Sequence, residues 1–246
     1  MKQIVALLTI ALFLLPLTTS AQDFCEGNFD YDDDQDGSDA FTFKTDFGRS
    51  SFGNPCPPDG PAPVLQTGQT ISYSTGDDGD LVKGVAWPNP RFGDNADGTV
   101  TDNLTGLMWL QDANCIETLY PEFDNDGTIG DGRVTWQHAL DFVEGINNGT
   151  FQNCAADYSD WRLPNLFELE SLRDIAYYSP CLSNAAGTAQ WTDGDAFFNV
   201  VANFWTSSTS PTSANTALLV SIATCGIGFG TKETLYYQIW PVRGGH

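Results

Sequence analysis

The stretch Asp160-Trp-Arg-Leu-Pro-Asn-Leu-Phe-Glu-Leu-Glu-Ser-Leu-Arg-Asp-Ile175 decides the fold of the larger part of the chain. Asn165 directly follows Pro164 and has Glu168 three residues later, which is the capping-box pattern that begins an α-helix. The apolar residues that follow recur at helical spacing and predict a single buried face, made of Leu166, Leu169, Leu172 and Ile175.

A second helix is predicted upstream, over residues 135–146. Thr135 is a suitable N-cap, and either Gly145 or the cluster Asn147-Asn148-Gly149 ends the helix. One face of this helix carries the apolar residues Trp136, Ala139, Leu140, Val143 and Ile146.

Short strand patterns lie on both sides of the two helices. Residues 98–109 place two runs about a turn, residues 217–222 form an apolar run, and residues 235–242 resemble a C-terminal strand with a late proline. Strands around two helices, with long polar loops, predict an α+β domain.

The first residues have the features of an export signal. A charged start, Met1-Lys2, precedes an apolar run that ends at Thr19-Ser20-Ala21, which predicts a signal peptide over residues 1–21. The run is too short for a transmembrane helix, and no second such run follows. We therefore expect a secreted, periplasmic or cell-surface protein without membrane insertion.

The charge excludes one class of partner. The chain carries 10 Lys and Arg against 32 Asp and Glu, a net charge of -22. Such a chain repels nucleic acid and anionic lipid surfaces. We expect no nucleic-acid partner.

Six cysteines in an exported chain predict three disulfides, because the compartment is oxidising and the number is even. Sequence alone leaves the pairing open. Proximity along the chain favours three pairs, namely Cys25 with Cys56, Cys115 with Cys154, and Cys181 with Cys225.

Residues 22–59 are predicted to form a small acidic module, and the Pro-rich residues 60–67 a linker to a domain over residues 68–246. The module contains a candidate calcium loop. Side-chain oxygens fall at loop positions one, three, five, nine and twelve, and a backbone carbonyl at seven. The predicted ligands are Asn28, Asp30, Asp32, Asp34 (through its carbonyl), Asp36 and Asp39.

The calcium loop has alternatives. A second register begins at Asp32 but ends on Phe43 and lacks the final carboxylate, and the segment can also be a solvated acidic turn. With its following helix, the first register resembles one dockerin or EF-hand unit, although Asp33 replaces the usual glycine. Other Asp-Gly segments are predicted to be turns, with a cation as the alternative for Asp124, Asp126 and Asp131.

Catalytic patterns are weak. His138 lies within a predicted helix and is expected on its surface, no serine lies in a Gly-x-Ser-x-Gly elbow, and no phosphate loop precedes a helix. A carboxylate pair for glycoside hydrolysis depends on separation in space and stays open as an alternative. Seven tryptophans exceed what packing needs, so we expect some aromatic side chains at the surface.

Five ordered motifs resemble the Lcl C-terminal domain family, a family named for a collagen-like adhesin and related to the C-type-lectin-like fold. They are residues 91–109, Val134-Thr-Trp-Gln-His-Ala-Leu140, Asp160-Trp-Arg-Leu-Pro-Asn165, Phe204-Trp-Thr-Ser-Ser208 and Trp240-Pro-Val-Arg243. The resemblance covers residues 68–245. It implies a lectin-like domain with two helices and short antiparallel strands, used for adhesion, and it does not imply a catalytic site.

Within these motifs, Asp160, Trp161, Arg162 and Pro164 are expected to fix the turn into the helix, and Trp205 and Trp240 to lie in the core. The adhesin that names the family recognises sulfated glycosaminoglycans, which calls for a basic surface that this acidic chain lacks. The candidate binding surface is the irregular stretch of residues 207–232. We predict a non-catalytic binding or adhesion protein for an extracellular glycan or protein; the alternatives are a carbohydrate-active hydrolase and a structural component of an envelope or extracellular assembly.

Overall fold

The computed structural model describes residues 64–124, 126–154 and 158–244. These residues form a mixed α+β structure with antiparallel sheets, as predicted. The α-helices are α1 (Asp78–Leu81), α2 (Cys115–Leu119), α3 (Trp136–Asn147) and α4 (Leu166–Ser171), with 3-10 turns at Pro121–Phe123 and Gln152–Cys154. The strands are β1 (Phe92–Asp94), β2 (Thr99–Asp102), β3 (Met108–Leu110), β4 (Asn203–Thr209), β5 (Thr216–Ser221), β6 (Ile227–Thr231) and β7 (Val242–Arg243).

The strands form two sheets. The first has the order β1-β2-β3-β7 and the second the order β4-β5-β6, with every neighbouring pair antiparallel. The two runs predicted over residues 98–109 are β2 and β3, which pair with Val100 opposite Trp109. The predicted apolar run over residues 217–222 is β5. Among the described residues, no helix is long and apolar enough to cross a membrane.

The capping box of α4 is confirmed. The Asn165 side chain accepts the Glu168 N–H at 3.0 Å, and the Glu168 carboxylate accepts the Asn165 N–H at 2.7 Å. Arg162 adds two hydrogen bonds to the same carboxylate, at 2.7 and 2.6 Å. Burial by itself raises the pKa of Glu168, but these hydrogen bonds more than offset it and hold the pKa below its usual value. Arg162 therefore fixes the turn into α4, as predicted.

The predicted length of α4 is wrong. The helix ends at Ser171, and Ile175 is 39% exposed instead of lying on the buried face. Backbone bonds to distant segments replace the helical ones: the Ile175 N–H donates to the Thr67 carbonyl at 2.9 Å and the Asp174 N–H to the Cys181 carbonyl at 3.0 Å. These bonds also tie the end of the predicted linker to the domain.

Helix α3 agrees with its prediction, with Thr135 as the N-cap and Asn148 as the C-cap. Gly145 does not end the helix but lies inside it. A Cβ atom there would come within 2.3 Å of the Phe151 ring, so the glycine is needed for the ring to lie against the helix. Phe151 in turn stacks on Phe142, at a centroid distance of 4.6 Å.

The core is built around Trp240. Its ring contacts Trp109 on β3, Phe204 on β4 and Phe197, at centroid distances of 5.8, 5.2 and 4.8 Å. Its indole N–H donates to the Leu110 carbonyl at 2.8 Å. Trp240 thereby packs the two sheets against each other, and the prediction that Trp205 and Trp240 belong to the core is confirmed, since both are fully buried.

Two further expectations need correction. The tryptophans are largely packing residues: Trp109, Trp161, Trp205 and Trp240 are buried and the other three are half-buried. The predicted strand over residues 235–242 is reduced to β7 at its end. Tyr237 forms an isolated bridge to Val134 and Gln238 one to Phe204. This segment therefore pairs with two different parts of the chain instead of adding a regular strand to one sheet.

Candidate functional site

Several predicted site residues lie outside the described part of the chain. These are the signal peptide over residues 1–21, the two N-terminal cysteines, and the calcium ligands of the acidic module. The functions expected for these residues stay predictions from the sequence. The residues concerned are Cys25, Cys56, Asn28, Asp30, Asp32, Asp34, Asp36 and Asp39.

One predicted disulfide is confirmed. Cys115 at the start of α2 is bonded to Cys154, with 5.8 Å between the Cα atoms, a normal separation for a disulfide. Cys181 and Cys225 are present as thiols, and the thiol of Cys225 is close enough to contribute to a raised pKa of Cys181. The bridge predicted between them remains a prediction.

A cleft of about 390 Å³ opens at the N-terminal end of α3, within the size range of ligand sites. Three stretches of chain form it: the start of α3 on one side, and the residues next to the ends of β5 and β6 on the other. Its walls combine an indole ring, an ammonium group, a carboxylate, two amides and a hydroxyl. The lining residues are Thr135, Trp136, Gln137, Asn215, Lys232 and Glu233.

The backbone fixes the two walls of the cleft to each other. The Trp136 N–H donates to the Lys232 carbonyl at 3.1 Å, and the Lys232 N–H donates to the Asn215 carbonyl at 2.9 Å. The Trp136 indole N–H donates to the Thr206 carbonyl on β4 at 2.8 Å. The cleft is therefore a hydrogen-bonded junction between α3 and the β4-β5-β6 sheet.

Lys232 is the one positively charged residue that lines the cleft, next to Glu233. Its ammonium lies 4.0 Å from the centroid of the Trp136 ring and donates to the Thr209 hydroxyl at 2.8 Å. Each described arginine lies within ion-pair distance of a carboxylate, whereas Lys83 and Lys232 have no such partner among the described residues. Lys232 is thus a half-buried positive charge that a ligand can reach, in a chain of strongly negative charge.

The candidate binding surface over residues 207–232 is more regular than expected from the sequence, and its role in binding stays a prediction. Most of the stretch is regular, because it forms the β5-β6 hairpin. Gly230 is buried in this hairpin, and a Cβ atom there would come within 2.4 Å of the Trp205 ring. Asn215 and Lys232, at the two strand ends, are the residues of the stretch that line the cleft. Sequence reasoning missed Trp136 and Gln137 as partners of this surface.

A second, smaller groove of about 290 Å³ lies at the opposite end of α3. Asn147 holds the groove in place by two hydrogen bonds of 2.8 Å to the backbone of Trp161. The groove is lined by amides and hydroxyls without a charged side chain, from Ile146, Asn147, Asn148, Gly149, Gln152, Tyr158 and Ser159.

The structure brings Asp124, Asp126 and Asp131 together, with one carboxylate oxygen of each within 4.8 Å of the others. Asp124 is buried and accepts three backbone N–H groups, from Asp126, Asp131 and Gly132, at 2.9 to 3.2 Å. The bond from the Asp126 N–H is that of a tight turn, and the other two join Asp124 to residues seven and eight positions further along the chain.

His138 lies on the surface of α3, as predicted. Its side chain is partly exposed, its ring packs against Phe123, and its Nδ1 atom lies 4.0 Å from the Asp141 carboxylate.

The comparisons with known proteins give one match. Residues 98–243, more than half of the chain, match the family model of the Lcl C-terminal domain. This family is associated with adhesins and is not a known enzyme family. Neither the curated proteins nor the solved structures contain a match to the chain.

Proposed function

The chain belongs to the Lcl C-terminal domain family, and from this premise we propose that it is an exported, non-catalytic binding or adhesion protein. It recognises an extracellular glycan or protein through a domain of C-type-lectin-like fold. The family's association with adhesins supports a surface or extracellular location. The Cys115–Cys154 disulfide supports export, because such bonds persist in oxidising compartments.

The observation that carries the proposal is the cleft between α3 and the second sheet. Binding sites combine apolar surface with a few placed polar groups, and the half-buried Trp136 with Lys232 and Asn215 offers this combination. The backbone bonds across the cleft preorganise it, so a ligand loses little affinity to the ordering of the protein. Of the lining residues, only Glu233 has a carboxylate, whereas glycoside hydrolysis uses a pair.

Truncation of the cleft side chains tests the proposal. The wild-type protein is probed against a printed oligosaccharide array and against immobilised collagen and fibronectin, and affinity for the best probe is measured by surface plasmon resonance. We expect Lys232→Ala and Asn215→Ala each to weaken binding about tenfold, because each removes a polar group that faces the cleft. The Asn215 side chain can be truncated without loss of the hydrogen bond from the Lys232 N–H, which uses the Asn215 backbone carbonyl.

Lys83→Ala is the matched control, since Lys83 is exposed, lacks a carboxylate partner and lies outside the cleft. It should bind as the wild type does. Equal affinities for all three variants would exclude the cleft as the binding site, and absence of wild-type binding to every probe would count against this ligand class.

A specific observation favours the structural component of an assembly as the second candidate. Strand β6 is an edge of its sheet and carries no charge, and its Ile227 and Phe229 are 47% and 62% exposed. Natural proteins usually protect such edges with charge or proline. If Phe229→Ser abolished probe binding while the cleft variants did not, the β6 surface would be the binding surface.

We further propose that the acidic module binds calcium as a stabilising or docking appendage. Titration calorimetry of the wild type should show one weak event, with a Kd on the order of 10⁻⁴ to 10⁻³ M, as in extracellular modules. The variant Asp30→Ala/Asp32→Ala should lose this event, because it removes two of the predicted side-chain ligands.

Asp126→Ala/Asp131→Ala is the rival variant, since it removes two carboxylates of the cluster near Asp124. It should bind calcium as the wild type does. If it lost the event instead, calcium would belong to the main domain and the acidic segment would be a solvated turn.

A further inference from the structure

Two thiols lie side by side at one end of the second sheet. Cys181 is fully buried in the segment after α4, and Cys225 is half-buried in the turn between β5 and β6. Cys225 lies close enough to the Cys181 thiol to contribute to its raised pKa. The segments are separated by 44 residues of sequence, so their contact is a product of the fold.

The backbone already holds the two segments together. The Cys181 N–H donates to the Ile222 carbonyl at 2.8 Å, and Arg173 donates from its guanidinium to the Cys225 carbonyl. The Cys181 thiol donates to the Ile222 carbonyl at 3.0 Å, and the Cys225 thiol to the Tyr177 carbonyl at 3.6 Å. A bond between the sulfurs would join segments that are already in register.

The two sulfurs differ in access, and Cys181 is the more deeply buried. Burial, and then the neighbouring Cys225, raise the pKa of the Cys181 thiol to about 12, so this thiol stays protonated at neutral pH. Cys225 is the more exposed of the two. An oxidant in solution therefore meets Cys225 first.

We propose that Cys181 and Cys225 form a specific oxidation site, which closes to a disulfide by exchange with an external low-molecular-weight or protein disulfide. The Cys225 thiolate attacks the external disulfide, forms a mixed disulfide and releases one thiol. Cys181 then attacks the Cys225 sulfur, loses its proton to solvent and releases the second thiol. Two cysteine thiols are oxidised and one external disulfide is reduced to two thiols.

The bridge would tie the β5-β6 turn to the segment after α4. Asn215 and Lys232 lie at the other end of the same strands, so the bridge and the cleft occupy opposite ends of the second sheet. Oxidation should therefore change stability and not the shape of the cleft, whatever the cleft binds.

Peptide mapping tests the pairing directly on the full chain. No Lys or Arg lies between Arg173 and Lys232, so trypsin leaves both cysteines in one peptide, residues 174–232, with no other cysteine. After treatment with oxidised glutathione, this peptide should lose two hydrogens in mass and resist alkylation by iodoacetamide. A peptide that stays alkylated at both cysteines, keeps glutathione, or is cross-linked to Cys25 or Cys56 would overturn the proposal.

A melting experiment tests the effect of the bridge. The oxidised wild type should melt roughly 10 °C above Cys225→Ser, as expected for closure of a loop of this length. Under reducing conditions the two proteins should melt together. An equal gap in both conditions would show that the serine disturbs packing and that the bridge adds nothing.

Discussion

Asp102→Asn is expected to lower the free energy of unfolding by about 3 to 5 kcal/mol, because it leaves the charge of a buried arginine without its nearest counterion. Arg91 and Asp102 are both fully buried, and the Arg91 Nε atom lies 3.5 Å from the Asp102 carboxylate. Burial lowers the pKa of Arg91, and the charge of Asp102 opposes that shift. Urea denaturation at neutral pH measures the change.

The environment of Arg91 explains why the loss is large. Its guanidinium lies 3.9 Å from the Trp87 ring centroid and donates to the Ser171 carbonyl at the end of α4, but its Nε and Nη1 atoms have no hydrogen-bond partner. Asp174 also attracts Arg91, but more weakly than Asp102 does, and burial raises the pKa of Asp174. An unpaired buried charge is costly because nothing replaces its hydration.

Two further variants test whether the loss of stability comes from the buried ion pair. Asp94→Asn is the matched control: Asp94 is exposed, and its hydrogen bond from the Ala96 N–H can be kept by an amide oxygen, so the change should stay within about 0.5 kcal/mol. In the double variant Arg91→Met/Asp102→Asn the buried charge is gone, and part of the lost stability should return. If Asp102→Asn cost no more than Asp94→Asn, the ion pair would not stabilise the fold.

Local patterns predicted where α3 and α4 begin but not the short helices α1 and α2, and tertiary contacts decided where α4 ends. The capping box at Asn165 and the N-cap at Thr135 depend on neighbours within a few residues, and both are confirmed. The end of α4 depends on Thr67 and Cys181, whose carbonyls take the N–H groups of the predicted last turn. No spacing within residues 160–175 carries that information.

The candidate cleft, too, could not be predicted from local sequence patterns. Thr135 was recognised as an N-cap, and Lys232 closes the stretch chosen as a binding surface, but only the fold brings them together. The bond from the Trp136 N–H to the Lys232 carbonyl joins residues that are far apart in sequence. The number of tryptophans led to the wrong expectation of exposed aromatic side chains, because the count does not show which rings pack together. Trp109 and Trp240 pack against each other in the core.

The second large effect concerns the disulfide that encloses α3. The variant Cys115→Ala/Cys154→Ala is expected to lose about 4 kcal/mol of unfolding free energy, because the bond closes a long loop and restricts the unfolded chain. The two cysteines are 39 residues apart, and both are buried. The loop they close contains helix α3, whose first residues form one wall of the cleft.

The bond also supports an aromatic cluster under α3. Phe151 lies three residues before Cys154 and contacts Tyr120 and Phe123, at centroid distances of 4.8 and 5.0 Å. The Tyr120 hydroxyl accepts the Asn153 N–H at 3.2 Å. Without the disulfide, these contacts alone hold the 3-10 turn at Gln152–Cys154 against α2, so local opening of this region should become easier.

A comparison under oxidising and reducing conditions separates the bond from the packing of its sulfurs. In a background with serine at Cys25, Cys56, Cys181 and Cys225, the only remaining disulfide is Cys115–Cys154. Without reductant, the alanine variant should unfold at a lower urea concentration than the protein with the disulfide. The difference in unfolding free energy should be the full value of about 4 kcal/mol. With reductant, the gap should shrink to the small packing loss of two buried thiols. A gap that did not shrink would mean that the cysteines stabilise the domain by packing, and that the unfolded chain is already compact around this loop.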